Sequence, residues 1–163
     1  MLDLNEIVRD ADRLARHDAL FRGVQLQCRL LDQPIWISGD DIPLQQVVLN
    51  LVTNGMDAMR HLPSEKRVMT IETAVSEANG FAIVAVTDSG TGIPPEDQSK
   101  LFTPFFTTKR DGLGLGLSIC QSIVHALGGQ IRVESRPERG AVFRVMLPLS
   151  RSAELQSSRA NAA

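Results

Sequence analysis

The chain has 163 residues, enough for one domain that buries a core without disulfides. Its 17 Lys and Arg against 19 Asp and Glu give a formal charge of -2, which supplies no general attraction to a nucleic-acid backbone or an anionic membrane. Aromatic residues at 4% and the absence of tyrosine argue against base-stacking platforms, and Cys28 and Cys120, without CxxC spacing or a histidine cluster, argue against a zinc site or a redox pair.

The N-terminal MLDLNEIVRDADRL is acidic where a signal peptide needs a basic start, and no stretch approaches the roughly 20 apolar residues of a membrane span, so a cytoplasmic setting without membrane contact is expected. Residues 3 to 20 set Leu4, Ile7, Val8, Ala11, Leu14 and Ala15 at helical spacing behind Asp3 and Glu6, a capping-box pattern. VQLQCRLL from Val24 and PIWI from Pro34 read as two strands of a hairpin turning at Asp32 to Pro34. The next segment, to Leu62, predicts a helix capped by Asp40 or Asp41 with Pro43 in its first turn and Leu44, Val47, Val48, Leu51, Ala58 and Met59 on one side.

RVMTIETAV from Arg67 and FAIVAVTD from Phe81 are β-branched runs joined through Asn79 and Gly80, the pattern of antiparallel neighbours. From Ser89 to Gly116 glycine, proline and threonine interrupt regular structure except for a short helix near Glu96 to Leu101. A helix from about Leu115, closed by Gly128, leads into two strands around a turn at Pro137 to Gly140. The expected fold is an α/β (α+β) two-layer sandwich in residues 1–150: a mixed, mainly antiparallel sheet covered on one face by helices, followed by a disordered tail at 151–163.

Four segments carry candidate chemistry. Asn50, Asn54 and Asp57 follow one another by four and three residues, so they share a stripe nearly opposite the apolar side, either a solvated helix face or the wall of a cleft. An amide oxygen there suits magnesium, which keeps several waters while touching a substrate phosphate. Asp88 ends an apolar strand and precedes SGTGIPP, where Gly90 and Gly92 let backbone approach a flat ligand whose exocyclic amine donates to the carboxylate; an ordinary strand-end turn gives the same pattern.

Gly112, Gly114 and Gly116 alternate just before an apolar helix, offering backbone N–H groups and a helix N-terminus to phosphate oxygens with Lys109 alongside, or else forming a tight turn. They fit neither the P-loop nor the dinucleotide fingerprint. Between the glycine clusters, Phe102, Phe105 and Phe106 in LFTPFFTTK either pin a closing lid or anchor a static loop.

In this order, NLVTNGMDAM, DSGTGIP, LFTPFFTTK and GLGLGLSI resemble the N, G1, F and G2 boxes of the ATP-binding catalytic domain of sensor histidine kinases. That domain is related to the ATPase modules of DNA gyrase, the Hsp90 chaperone and the MutL mismatch-repair protein. The resemblance runs from LDLNEIV to VMLPL, and NGMDAM with PFFTTK is similar to kinases of the nitrogen-regulatory and dicarboxylate- or oxygen-sensing type. It implies a Bergerat-type fold with an ATP lid, with ATP and magnesium as ligands.

By that resemblance Asn54 is the magnesium ligand with Asn50 supporting it, and Asp88 binds the adenine amine over Gly90 and Gly92. Phe102 and Phe105 are hinge or packing residues of the lid, Lys109 contacts phosphate, and Gly112, Gly114 and Gly116 cradle the phosphates. Thr107, Thr108 and Arg110 are lesser candidates for the same pocket, and Asp57 is a candidate for polarising the acceptor or a water. Gly55 stands where alanine is commonest and Leu113, also at the pocket, where threonine or a small residue is frequent; neither removes a ligand.

The implied function is protein-histidine kinase chemistry: Mg-ATP held for transfer of its γ-phosphate to a histidine on a separate dimerisation and phosphotransfer domain, with a response regulator downstream. His17, although followed by Asp18, lies downstream of where the acceptor belongs, so autokinase activity is not expected from this chain alone, and a parent membrane sensor is compatible with it. His61 and His125 have no metal cluster around them in sequence. Two alternatives stay open: a slow ATPase, which lacks the catalytic glutamate of gyrase-like relatives between Gly39 and Pro63, and a non-catalytic nucleotide-dependent interaction module.

Overall fold

Asp3 shows how local chemistry fixes the first junction. Its carboxylate accepts from the Asn5 N–H at 3.0 Å and from the Ile35 N–H at 3.0 Å, so one side chain caps the helix α1 (Leu4–Phe21) and holds a loop 32 residues away. In this computed structural model, which describes residues 1–108, 112–135 and 139–150, the reciprocal half of the expected capping box is replaced: Glu6 pairs with Arg9. The strands β1 (Leu2–Asp3) and β3 (Trp36–Ile37) pair antiparallel at the same place.

The expected hairpin is therefore absent. β2 (Gln25–Arg29) instead runs parallel to β4 (Val68–Ser76), in the register Gln25↔Val68 to Arg29↔Glu72. The reason is a buried polar hub. Asn5, 3% exposed, donates its amide to the Leu31 and Gln33 carbonyls at 3.0 and 2.9 Å and accepts from the Thr73 hydroxyl at 2.7 Å. Thr73 Oγ1 in turn accepts from the Leu31 N–H at 3.0 Å. These bonds carry the chain after β2 across the start of α1, where it cannot fold back onto its own strand.

The main sheet has the order β2-β4-β5-β7-β6, with β5 (Phe81–Asp88), β6 (Gln130–Ser135) and β7 (Ala141–Pro148) joined to β4 by antiparallel ladders. The alternating pattern of β5 sends Ala82, Val84, Val86 and Asp88 to one face, where Met69, Ile71, Phe143 and Val145 join them. Among the described residues the helices cover that face, so the mixed, mainly antiparallel two-layer sandwich expected from the sequence is the observed architecture.

The helix α2 (Asp41–Ala58) lies between α1 and α4 (Gly116–Ala126) and over β5. Asp40 and Asp41 share its capping, both addressing the Ile42 N–H, at 3.4 and 2.8 Å. Leu44, Val47, Val48, Leu51, Val52 and Met56 of α2 are buried, whereas Leu14 of α1, placed on the apolar stripe by its spacing, is 59% exposed. The short helix before the lid, α3, spans Pro95–Gln98 and is moored to β6: the Gln98 side-chain amide donates to the Ile93 and Ser135 carbonyls at 3.0 and 3.2 Å. Residues 136–138 of the last turn and the tail from 151 fall outside the described residues.

Candidate functional site

The second half of α2, the end of β5, the loop after it and the start of α4 enclose a cleft of about 920 Å³, the size range of small-ligand sites. Asp88 lies at its floor. Alternation along β5 turns this residue to the helix-covered face, and at 6% exposure it is as buried as the apolar residues before it. Its carboxylate accepts from the backbone N–H of Gly90 at 2.8 Å and from that of Ala141. Burial raises its pKa above the ordinary carboxylate value, against the opposing pull of those two N–H groups. A desolvated acceptor opening on a cleft selects a ligand that brings a donor.

Gly90 and Gly92 divide the work expected of them. Gly92 lines the cleft, while Gly90 is packed behind the carboxylate: a β-carbon there would stand 2.8 Å from Asp88 Oδ1 and 2.9 Å from the Ala58 β-carbon. A side chain at 90 would displace the Asp88 carboxylate itself. Beneath the same carboxylate, Gly55 leaves room that the Met69 methyl fills, since a β-carbon on Gly55 would meet Met69 Cε at 2.3 Å.

The polar stripe of α2 is split. Asn54 and Asp57 line the cleft, but Asn50 does not: it accepts from the Gln46 side-chain amide at 3.0 Å and directs its own amide at Cys120 Sγ of α4, 3.6 Å away. Packing of α4 against α2 makes this division, which spacing on one helix cannot reveal. Asp57 is bonded to Arg22 at 2.7 Å. For magnesium, the donor set on this wall, an amide oxygen beside a carboxylate, is the oxygen chemistry of a hard cation held mainly by substrate phosphates and water.

Gly112, Leu113, Gly114 and Gly116 line the cleft together with Thr107 and Thr108. Leu115, at the N-cap of α4, provides no side-chain cap, and a β-carbon on Gly116 would meet nothing within 4 Å. Gly114 serves the loop instead: at φ +70 a β-carbon would lie 2.5 Å from the Phe105 carbonyl carbon, and its carbonyl accepts from the Phe105 N–H at 2.9 Å. Lys109 and Arg110 lie outside the described residues.

The three phenylalanines take different places. Phe102 packs on the core, Phe105 is 75% exposed at φ 66, and neither lines the cleft; Phe106 does. Thr91, Ile93, Ala141 and Phe143 also line the cleft, although none stood out as a candidate in the sequence. Thr91 and Ile93 sit within the DSGTGIP segment and were within reach of it. Ala141 and Phe143 come to the site only because β7 pairs with β5, in the register Val86↔Phe143.

A helix-covered mixed sheet with a buried carboxylate at a strand end and a glycine-walled helix start facing it defines an ATP-binding domain of the histidine kinase type. Residues 39–151 match the family of histidine kinase-, DNA gyrase B- and HSP90-like ATPases, and the chain belongs to that family. It is similar to the sensor protein TdiS of Thauera aromatica, at 35% identity over 147 residues, 90% of this chain and 27% of that protein. It is similar also to the sensor histidine kinase ZraS of Salmonella typhi, at 38% identity over 148 residues, 91% of this chain and 31% of that protein. The chain thus spans less than a third of either relative.

Among solved structures, the catalytic domain of the histidine kinase ThkA superposes with a TM-score of 0.79 at 32% identity, covering 91% of this chain and 93% of that one. ThkA has also been solved in complex with the response regulator protein TrrA; that kinase chain gives a TM-score of 0.75 at 31% identity over 91% of this chain and 41% of its own length.

Proposed function

We propose that this domain binds Mg-ATP in the cleft and presents the γ-phosphate to a histidine on a separate dimerisation and phosphotransfer domain. One observation carries the reading: a buried acceptor, Asp88, faces the glycine-walled start of α4 across a cleft of about 920 Å³. The adenine amine donates to Asp88 above Gly92, while Gly112, Gly116 and the first turn of α4 take phosphate oxygens. Thr107, Thr108, Leu113 and Lys109 complete the phosphate side, and Phe102 anchors the lid segment on the core.

Asn54 holds magnesium, and Asn50 supports it from one turn earlier by fixing α2 against α4. Bound magnesium offsets phosphate charge; the domain itself contributes orientation and electrostatics. In the transfer, the bond from the γ-phosphorus to the bridging oxygen breaks as a phosphorus–nitrogen bond to the acceptor imidazole forms, and ADP leaves. Asp57, oriented by Arg22, polarises the incoming imidazole. A response regulator of the kind bound by ThkA is the downstream partner.

Calorimetric titration of Mg-ADP tests the reading. Binding is expected for the unaltered chain, abolished in Asp88→Ala and stripped of its magnesium dependence in Asn54→Ala. Phosphate transfer to an added histidine domain then separates a kinase module from a binding module. A folded chain that binds no Mg-ADP refutes the site.

A further inference from the structure

The wall of the cleft holds a charge that a polyanionic ligand must tolerate. Among the described lining residues the charged side chains are Asp57, Asp88 and Arg60. Asp57 rises from α2 beside Asn54, on the side assigned to the phosphates. Its partner comes from outside the cleft: Arg22, the residue that ends α1, donates Nη1 to Asp57 Oδ1 at 2.7 Å and Nε to Asp18 Oδ1 at 2.8 Å.

Arg22 is itself held at both ends. Its backbone N–H closes α1 on the Asp18 and Leu20 carbonyls, and its carbonyl accepts from Arg67 Nη1. Arg67 spends its remaining nitrogens on the Leu62 and Arg60 carbonyls, at 2.8 and 3.1 Å, so the same side chain ties down the loop that continues from α2. The Arg22 and Asp57 side chains are 28% and 21% exposed, which shelters their pairing from full screening by water. The guanidinium is thus held between the Asp18 and Asp57 carboxylates.

We infer that Arg22 is a positioning residue for the nucleotide phosphates: it neutralises and orients the Asp57 carboxylate, so that the cleft wall accepts a triphosphate without itself touching it. This rests on the nucleotide reading above and extends it to a residue outside the cleft. Removal of the cation takes one positive charge from beside Asp57 and leaves the phosphates facing a more negative wall. One unit charge at roughly 8 Å, in an effective dielectric of about 20, alters affinity on the order of tenfold. The effect belongs to the phosphates alone, because adenosine carries no charge for Asp57 to repel.

The test titrates Mg-ATP and, in parallel, adenosine into the unaltered chain, Arg22→Gln, Arg22→Lys, Asp57→Asn and the double variant Arg22→Gln/Asp57→Asn. Arg22→Gln is expected to weaken Mg-ATP about tenfold and adenosine less than twofold. Arg22→Lys, which keeps the charge, and the double variant, which removes both charges, are expected to recover Mg-ATP affinity to within about threefold, and Asp57→Asn alone to tighten it. Equal weakening of both ligands in Arg22→Gln, or a loss that persists in the double variant, means that Arg22 acts only through packing and overturns the inference. Binding of Mg-ATP unchanged in Arg22→Gln overturns it too. Failure of the unaltered chain to bind either ligand is a different result, which removes the nucleotide reading itself and the inference with it.

Discussion

Gly140 offers a sharp test of how the buried Asp88 carboxylate is held. The residue sits at φ +76, and a β-carbon there would lie 1.9 Å from the Asp88 carbonyl oxygen, 2.8 Å from its carbonyl carbon and 3.2 Å from the Gly90 nitrogen. All three atoms are backbone, so no side chain can swing away. A carbon tolerates oxygen at about 3.3 Å, so the two segments must part by roughly 1.4 Å in Gly140→Ala. The left-handed conformation adds about 1 to 2 kcal/mol and the overpacking about 1 to 3 kcal/mol. A total of about 2 to 5 kcal/mol lowers the melting temperature by roughly 5 to 15 °C in a domain of this size.

The displaced segment carries the Gly90 and Ala141 N–H groups that hold the Asp88 carboxylate, so Mg-ADP affinity falls as well. The control is Gly116→Ala. A β-carbon there meets nothing within 4 Å, and alanine restricts the unfolded chain, so its melting temperature stays level or rises while nucleotide binding weakens by occupation of the phosphate space. Calorimetry and thermal melts on the two variants distinguish a glycine required by the fold from one required by the ligand. Gly140→Ala with unaltered melting and binding refutes the argument from close approach.

Asp88→Asn probes the buried charge. Because burial raises the folded pKa of this carboxyl, the folded state binds the proton more tightly than the unfolded chain; the stability this contributes is present at acid pH and is lost as pH rises through the folded pKa. The melting temperature of Asp88→Asn minus that of the unaltered chain should therefore climb from about pH 4 to pH 7, and a flat or falling difference contradicts the pKa direction. Mg-ADP binding by the unaltered chain should weaken over the same range as pH falls. Asn5→Ala strips partners from two carbonyls and the Thr73 hydroxyl at once, so a loss of about 2 to 4 kcal/mol in denaturant melts is expected with nucleotide affinity retained; a loss of affinity of similar size means that the hub and the cleft are coupled. Gly55→Ala crowds Met69 Cε at 2.3 Å, and Met69→Val in the same chain should restore the lost stability, a compensation whose absence in a double-mutant cycle disproves the size match.

Local signals in the chain account for the helices, the strands from Val68 onward and the loop that carries the glycines. These are short-range properties: period, capping and turn chemistry lie within a few residues of each other. Tertiary structure decided what each polar residue does. Asn50 and Asn54 are one turn apart with the same side chain, yet α4 claims Asn50 through Cys120 while Asn54 is left on the cleft wall. Phe106 was distinguishable from Phe102 and Phe105 only once the loop had a path, and Ala141 and Phe143 reached the site by strand pairing across more than 50 residues of chain.

The hairpin expectation failed for the same reason. β2 and β3 carry the alternation that any half-buried strand carries, and alternation names a face, never a partner. The partner was set by Asn5 and Thr73, 68 residues apart, together with Asp3, side chains that converge to satisfy buried backbone groups. Arg22 and Asp57, 35 residues apart, show the same dependence at the site. Sequence spacing fixes which residues share an element, whereas charge pairing and hydrogen-bond satisfaction in the packed molecule fix which of them meet.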